Sequence, residues 1–225
     1  MKTLLRTIIF ISVLFSPFIA KAQFDIGIKG GYGYNRYFFQ KNYFTQGFLP
    51  VYNGGIMFQY LNDKKQGVQS SIEYTQKGWD EITVNEDHSK FTMDFVQLNF
   101  LSLFKFNSKK ENGLFIKFGP YFAYSYNSKH TETGNTDSSY FDYDTLHTSY
   151  NKLDYGLRVG LSYKFIIKNS SLQLEMLYAQ GLYNLLERDA SSIFQSLNQS
   201  LFINVAYTFT LTRSEKRKKK KNHNQ

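Results

Sequence analysis

Residues 153–165 alternate between large apolar side chains at odd positions and charged, small or hydroxyl-bearing side chains at even positions. A period of two indicates a β-strand whose two faces meet different surroundings. The stretch is longer than the usual globular strand of about 5–6 residues, and it exceeds the roughly 9–11 tilted residues that cross a bilayer. The pattern therefore favours a membrane-spanning β-strand.

The same alternation recurs along the chain and predicts eight strands. It is clearest in residues 24–31, 172–179 and 203–211. The fourth candidate mixes apolar side chains on both faces, and we expect a β-bulge near residues 97–99 to shift its phase. The predicted strands lie near residues 24–37, 51–61, 67–78, 91–106, 113–126, 152–166, 171–182 and 199–212.

The connections between these strands alternate in length. Residues 62–66, 107–112 and 167–170 form short turns, whereas residues 127–151 form the longest connection and are rich in Ser, Thr, Asp, Asn and Tyr. Outer-membrane barrels have short periplasmic turns and long external loops, and an even number of strands places both chain termini on the periplasmic side. Because unpaired amides at a sheet edge cannot lie in lipid, the sheet must close. We therefore predict an all-β fold, an eight-stranded antiparallel up-and-down transmembrane β-barrel in the outer membrane.

The start of the chain has the features of an export signal rather than of a folded segment. A basic start precedes an apolar run, and Ala20-Lys21-Ala22 is a small-x-small cleavage site. A transmembrane helix is the alternative reading, but Pro17 interrupts the run and the cleavage site follows at once. We predict a cleavable signal peptide over residues 1–22 and the barrel over residues 23–212.

The net charge of +9 is concentrated at the two ends of the chain. Residues 1–22 carry +3 and residues 213–225 carry +6, so the predicted barrel is neutral. We predict that residues 213–225 form a basic, disordered periplasmic tail that contacts anionic lipid headgroups, peptidoglycan or an acidic partner protein. An exported protein does not meet nucleic acid. The tail contacts are Arg213, Lys216, Arg217, Lys218, Lys219, Lys220 and Lys221.

The hydropathy of the chain is compatible with a transmembrane β-barrel, and its cysteine content excludes several kinds of site. The mean hydropathy of −0.42 is typical of soluble proteins, but only every second residue of a barrel strand faces lipid. The absence of cysteine excludes disulfides, a lipid-anchored cysteine and thiolate metal sites.

Charged side chains recur at positions that the alternation directs into the barrel. Eight strands leave an interior just wide enough for side chains to fill. An unpaired buried charge is costly, so both signs must be present. We predict a polar network that plugs the lumen, formed by Lys29, Glu73, Lys117, Arg158 and Glu175.

Aromatic residues make up 18% of the chain, and Tyr and Trp are enriched where membrane meets water. We predict that a group near the strand ends anchors the barrel at this interface. Its members are Tyr74, Trp79, Tyr121 and Tyr124.

Several short motifs resemble the PorT-type outer-membrane β-barrel family, which is widespread in Bacteroidota. The resemblance spans nearly all of the predicted barrel, in matching order and spacing. It implies the barrel architecture and carries no active site onto this chain. The founding member is linked to protein secretion and gliding, whereas most members share only the barrel. The motifs are Gly27–Gly31, Glu73–Gly78, Phe118–Tyr121, Tyr155–Gly160 and Tyr178–Leu182.

The histidines are the main candidates for chemistry. His88, His130 and His147 lie in predicted external loops, and His223 lies in the tail. Adjacent serines invite a hydrolase reading, but a catalytic triad is defined by geometry. The acidic loop 127–151 lacks the spacing of a calcium loop. We predict no catalytic residue, no cofactor and no metal site.

These observations favour a non-enzymatic outer-membrane barrel, a structural or interaction component with a filled lumen. Any specificity is expected in the external loops 127–151 and 183–198. The alternatives are a small channel or passive transporter, a rim enzyme acting on lipid, and a soluble ligand-binding barrel. The last is disfavoured because its apolar face would point inward.

Overall fold

The computed structural model describes residues 22–39, 45–62, 66–82, 88–106, 112–133, 150–186 and 195–212. These residues form mainly antiparallel β-strands, and no helix long and apolar enough to cross a membrane occurs among them. The strands are β1 (Ala22–Phe39), β2 (Thr45–Gly47), β3 (Leu49–Asn62), β4 (Gln66–Ile82), β5 (His88–Lys105), β6 (Gly113–Thr133), β7 (Leu153–Ile167), β8 (Ser170–Gly181) and β9 (Ser196–Thr212).

The sheet closes into a barrel, as the alternation predicts. Neighbouring strands follow the order β4-β3-β1-β9-β8-β7-β6-β5, and β5 pairs back onto β4 from Gln66↔Phe104 to Ile82↔His88. The first and last strands are paired from Phe24↔Thr212 onward. The short β2 pairs with residues 80–82 at the extracellular end of β4, and β3 pairs with residues 67–75 of the same strand. We therefore count β2 and β3 together as one strand of the wall. Eight strands therefore make the wall.

The two faces of the wall differ as the period of two requires. In residues 153–165 every odd-numbered side chain is exposed on the outer surface, and the even-numbered ones point inward. On β1 the outward apolar side chains extend from Phe24 to Tyr34. Ten residue steps of about 3.3 Å, tilted by roughly 45°, give an apolar band about 23 Å tall. That matches the roughly 25 Å of outer-membrane barrels.

The predicted bulge at residues 97–99 is wrong. Burial alternates without a break along β5, from Ser89 to Leu103. The irregularity lies on the partner strand, where Asp94 faces Asn127 and Phe95 faces Ser125, so that Tyr126 is the extra residue of β6. The sequence of β5 looks blurred because Phe95, Leu101 and Leu103 are apolar but face inward.

The connections separate the two ends of the barrel. At one end, the connections β3–β4, β5–β6 and β7–β8 are short, and the start of β1 and the end of β9 lie at this same end. We assign it to the periplasm by the general rule for such barrels. At the opposite, extracellular end the β4–β5 connection is shorter than predicted, because β4 extends to Ile82 and β5 begins at His88. Strand pairing there continues beyond the apolar band.

Candidate functional site: the lumen and its extracellular mouth

Five strands deliver the five predicted lumen residues to the interior. Each side chain lies in the inward phase of its strand and is almost fully buried. The residues are Lys29 on β1, Glu73 on β4, Lys117 on β6, Arg158 on β7 and Glu175 on β8.

The structure joins these five side chains into one run of alternating charges, here called the central ion-pair chain. Glu175 contacts Lys117 directly and lies 3.2 Å from Nζ of Lys29. Lys29 Nζ is also 3.0 Å from Oε1 of Glu73, whose Oε2 is 3.0 Å from Nη1 of Arg158. Every one of these pairs links two strands that are not neighbours in the sheet. The chain therefore crosses the bore rather than following the wall.

Neutral side chains add hydrogen bonds to the central ion-pair chain, although Nε of Arg158 has no partner among the described residues. The Ser71 hydroxyl donates to Oε1 of Glu73 at 2.6 Å, and Asn99 Nδ2 donates to Ser71 at 3.0 Å. Lys117 Nζ donates to Oε1 of Gln69 at 2.7 Å. Buried charges require such partners, because each unsatisfied donor or acceptor costs free energy. The network is thus held by both charge pairing and amide or hydroxyl contacts.

A second polar layer lies toward the periplasmic end. Asp25 contacts Lys164 directly, and Gln23 Nε2 donates to the Asp25 carboxylate at 2.8 and 2.9 Å. Lys164 Nζ also donates to Oε1 of Gln59 at 3.2 Å. The sequence prediction omitted Asp25 and Lys164. The signal was present, because Asp25 is four residues from Lys29 and Lys164 is six from Arg158, both in the inward phase.

A third pair, also missed, lies toward the extracellular mouth. Lys77 Nζ is 2.6 Å from Oδ2 of Asp154. The Tyr121 hydroxyl donates to the same carboxylate at 3.1 and 3.2 Å. The ammonium of Lys77 lies 4.4 Å from the ring centre of Tyr121 and 4.9 Å from that of Phe95. Cation–π contacts thus connect the charged layers to the aromatic residues above them.

Aromatic side chains close the extracellular mouth. Trp79 is fully buried, with ring-centre distances of 5.7 Å to Tyr37, 5.5 Å to Phe39 and 4.9 Å to Phe91. Phe91 is 6.0 Å from Tyr150. We call these five residues the aromatic cap. It lies over the charged layers and leaves an apolar lid on a polar lumen.

The prediction that Trp79 and Tyr121 anchor the barrel in the membrane interface is wrong. Both side chains are fully buried inside the barrel. Trp79 is six residues from Glu73 and Tyr121 is four from Lys117, so the period of two directs both inward. Tyr124 is in the opposite phase, faces outward and is 51% exposed. Tyr74 also faces outward, and its ring centre lies 5.6 Å from that of Tyr52.

Two of the histidines lie in strands rather than in external loops. His88 begins β5 and lies 2.9 Å from Oδ2 of Asp80. His130 lies in β6, where its Nε2 is 2.6 Å from the Ser89 hydroxyl and its Nδ1 is 3.6 Å from Oε1 of Glu132. Ser89 is fully buried. His147 and His223 lie outside the described residues.

The described parts of the two predicted external loops meet at the mouth. The Asn151 amide donates to the Leu185 carbonyl at 2.7 Å, and its Nδ2 donates to the Asn184 carbonyl at 3.0 Å. A bridge pairs Tyr150 with Leu186. A cleft of about 590 Å³ opens beside these contacts, lined by Asn151, Leu182, Tyr183, Asn184, Leu186, Gln195 and Leu197.

The signal peptide over residues 1–22 and the tail over residues 213–225 fall almost entirely outside the described residues. Ala22 alone is described, as the first residue of β1. Within the described part of the chain, no group of three or more His, Asp or Glu side chains could hold a metal ion.

Comparison with known proteins gives one family match. The model of a family described as outer membrane protein beta-barrel domain matches residues 17–187, which is more than half of the chain. No curated protein sequence matches significantly.

Several solved barrels are similar in structure. The attachment invasion locus protein Ail of Yersinia pestis, solved with the heparin analogue sucrose octasulfate, has 13% sequence identity and a TM-score of 0.42, and the match covers 83% of this chain and 99% of that one. Neisserial surface protein A has 11% identity and a TM-score of 0.41, with 84% and 97% covered. The N-terminal barrel of Pseudomonas aeruginosa OprF has 11% identity and a TM-score of 0.35, with 85% and 100% covered.

Proposed function

The chain belongs to the family of outer membrane protein β-barrel domains, and from this premise we propose that it is a closed, non-enzymatic barrel that presents an interaction surface outside the cell. The barrel is an outer-membrane protein, with lipid around its apolar outer face. Its role is that of a structural or interaction component rather than that of an enzyme or a channel.

The observation that carries the proposal is the central ion-pair chain. It runs from Lys117 through Glu175, Lys29 and Glu73 to Arg158, so charged side chains occupy the bore between strands that do not pair directly. The aromatic cap blocks the same path a second time nearer the mouth. An eight-stranded wall has no spare width around such side chains. This supports a closed barrel over the alternative of a small channel or passive transporter.

Single-channel recording in planar lipid bilayers tests the closed state. We expect the wild-type protein to give no discrete conductance steps. A double variant, Glu73→Ala with Arg158→Ala, removes both members of the Glu73–Arg158 pair and leaves Lys29 paired with Glu175. It serves as the control for detecting an opened lumen. Regular conductance steps from the wild type would overturn the proposal.

We place the interaction surface on the external loops 127–151 and 183–198. Support comes from the contacts between Asn151 and residues 184–185 and from the cleft beside them. These contacts join the described parts of the two loops at the mouth of the barrel. The test is a cell-surface or vesicle binding assay with Tyr183→Ala, which changes the cleft lining, and Lys168→Gln, which changes the opposite end. Equal effects of both variants would count against the loops.

A serine hydrolase at the rim is the alternative that a specific contact favours. Ser89, His130 and Glu132 are arranged in the order of a nucleophile, base and acid. The full burial of Ser89 argues against access for a substrate. We expect a fluorophosphonate probe to leave the folded protein unlabelled. Labelling of the wild type that is lost in Ser89→Ala would support a serine hydrolase and overturn the proposal of a non-enzymatic barrel.

We further propose that residues 1–22 are removed on export and that the basic tail 213–225 docks on an acidic envelope partner or anionic lipid in the periplasm. The charge of +6 on the tail beside a neutral barrel supports this. Crosslinking and co-purification from outer membranes should capture a partner with the full chain and lose it with a chain ending at Thr212. Identical capture by both chains would exclude the tail as a docking segment.

We also propose that the chain falls within the PorT-type group of its family. The supporting motifs lie on five different strands, among them Glu73–Gly78 on β4 and Tyr155–Gly160 on β7. A role in protein secretion does not follow from them. Deletion of the gene followed by measurement of secreted protein is the direct test. Normal secretion would indicate that the chain shares only the barrel architecture with the PorT-type group.

A further inference from the structure

The outward faces of three adjacent strands carry polar side chains near the extracellular end of the apolar band. On β1, Arg36 lies between the exposed Tyr34 and Phe38. On β8, Gln180 lies between Tyr178 and the exposed Leu182, and on β9, Gln199 follows Leu201. These three polar residues therefore form a polar patch among the outermost apolar side chains at the extracellular end.

A run of hydrogen bonds holds the guanidinium of Arg36 in place. Its Nε donates to Oε1 of Gln199 at 2.8 Å, and Gln199 Nε2 donates to Oε1 of Gln180 at 3.1 Å. The Tyr178 hydroxyl donates to the same Gln180 oxygen at 2.9 Å. Arg36 also lies over the ring of Phe48, with its guanidinium carbon 5.2 Å from the ring centre. The side chain is thus preorganised by a neighbouring aromatic ring and by an amide.

The two terminal nitrogens of Arg36 have no partner among the described residues, and the side chain is exposed. A guanidinium presents its nitrogens in a planar fork that matches two oxygens of a phosphate. Because Nε is already engaged by Gln199, the two terminal nitrogens are the part of the guanidinium left for a further contact. The geometry suits a bidentate contact with an anion outside the barrel.

On the opposite side of the barrel, a carboxylate lies near the same end. There Asp94 ends the outward column of β5 and accepts hydrogen bonds from Tyr74 at 2.6 Å, Gln76 at 3.1 Å and Asn127 at 2.9 Å. Because a fixed carboxylate repels phosphate, the Asp94 position is not an equivalent site for an anionic headgroup.

We propose that Arg36, held by Gln199, Gln180 and Phe48, binds the phosphomonoester of an anionic lipid headgroup in the outer leaflet. A phosphomonoester offers two terminal oxygens to the guanidinium fork while a third faces water. The acyl chains of the lipid lie on the apolar column below, beside Tyr34 and Leu201. A phosphocholine headgroup fits less well, because its own quaternary ammonium already balances the phosphate.

The test measures lipid retained by the folded protein after reconstitution and detergent extraction, using native mass spectrometry. The vesicles contain phosphatidylcholine alone or phosphatidylcholine mixed with phosphatidic acid. We expect the wild type to retain phosphatidic acid and Arg36→Gln to bind it about tenfold more weakly, as the loss of charge-assisted hydrogen bonds predicts. Arg36→Lys keeps the charge without the fork and should fall between the two.

Lys152→Gln is the matched control, because it removes an exposed cation at the same end of the barrel without touching this site. Gln199→Leu tests the positioning and should weaken retention while the barrel stays folded. Equal retention by Arg36→Gln and wild type would overturn the proposal, as would an equal loss in Lys152→Gln. Displacement of the lipid by inorganic phosphate would indicate a site for free phosphate instead, and would also overturn it.

Discussion

The central ion-pair chain and the aromatic cap fill the same barrel with opposite chemistry. Both are built from side chains in the inward phase of their strands, and Glu73 and Trp79 even share β4. In the ion-pair chain, burial is tolerated because each charge meets an opposite one. In the aromatic cap, burial is favourable by itself and the rings need only fit together.

The two regions should therefore respond differently to amino-acid substitution. An ion-pair chain is matched group by group, so removing one carboxylate leaves its partners charged and buried. A ring cluster is matched by volume, so removing one ring leaves a cavity whose cost depends on how well its neighbours close in. We therefore expect isosteric substitutions to be severe in the first region and mild in the second.

The largest effect is expected for Glu73→Gln, which keeps the shape and removes the charge between Lys29 and Arg158. We expect a loss of about 3–5 kcal/mol in the free energy of unfolding, the usual cost of breaking a buried pair. Urea unfolding in lipid vesicles measures it. The double variant Glu73→Gln with Lys29→Met should recover part of the loss.

Glu132→Gln gives the matched control for that experiment, because it removes a carboxylate that is half exposed. Surface changes of this kind usually stay within about 0.5 kcal/mol. If Glu73→Gln proved as stable as Glu132→Gln, the central ion-pair chain would contribute little to the free energy of unfolding. The expected difference from the aromatic cap would then be wrong.

Trp79→Ala should cost somewhat less, about 3 kcal/mol, because it opens a cavity in the aromatic cap. Trp79→Phe keeps most of the volume and should cost only about 1 kcal/mol. Measured under the same urea conditions, the small cost of the conservative change is the sharpest contrast with Glu73→Gln. A Phe variant as damaged as the Ala variant would show that volume is not what the cap requires.

Trp79 is the single tryptophan of the chain, so its fluorescence reports the position of the cap directly. We expect blue-shifted emission that neither acrylamide nor brominated lipid quenches, because the ring is buried in the lumen. Strong quenching by brominated lipid would return Trp79 to the membrane interface.

A smaller effect is expected at Gly31, which packs against β9 beside the central ion-pair chain. A Cβ there would overlap the Ile203 carbonyl and the Asn204 side chain, so Gly31→Ala should cost about 2 kcal/mol. Gly30 faces outward, where a Cβ would meet only the Asn53 carbonyl at 3.6 Å. Gly30→Ala should therefore stay within about 0.5 kcal/mol. Equal costs at both positions would mean that close packing near the ion-pair chain is unimportant.

The smallest effect is expected outside both regions, in the β7–β8 turn. Lys168 has a φ of 51°, in the left-handed region that favours glycine. Lys168→Gly should raise stability by about 0.5 kcal/mol after the entropy of glycine is counted, whereas Lys168→Gln should not. An equal gain in stability from both variants would mean that the lost charge, and not the backbone conformation of residue 168, causes the effect. The turn could then not serve as a reference for the changes in the lumen.

Much of the barrel could be predicted from the sequence because its information is local. The phase of residues 153–165 directs Arg158 inward, and the same argument places Lys29, Glu73, Lys117 and Glu175 inside. The errors at Trp79 and Tyr121 came from weighing residue type above phase, since tryptophan and tyrosine are common at membrane interfaces. The error at residues 97–99 came from expecting every inward position to be polar.

The alternation in each strand assigns its side chains to lipid or to the lumen without any knowledge of the neighbouring strands. The same pattern requires the sheet to close, since unpaired edge amides are not tolerated in lipid. Which charged side chains of the lumen form ion pairs with each other depends on the tertiary structure. Lys29 meets both Glu73 and Glu175 because the wall curls three non-neighbouring strands around one bore. Register, tilt and closure set those distances together, and no single strand encodes them.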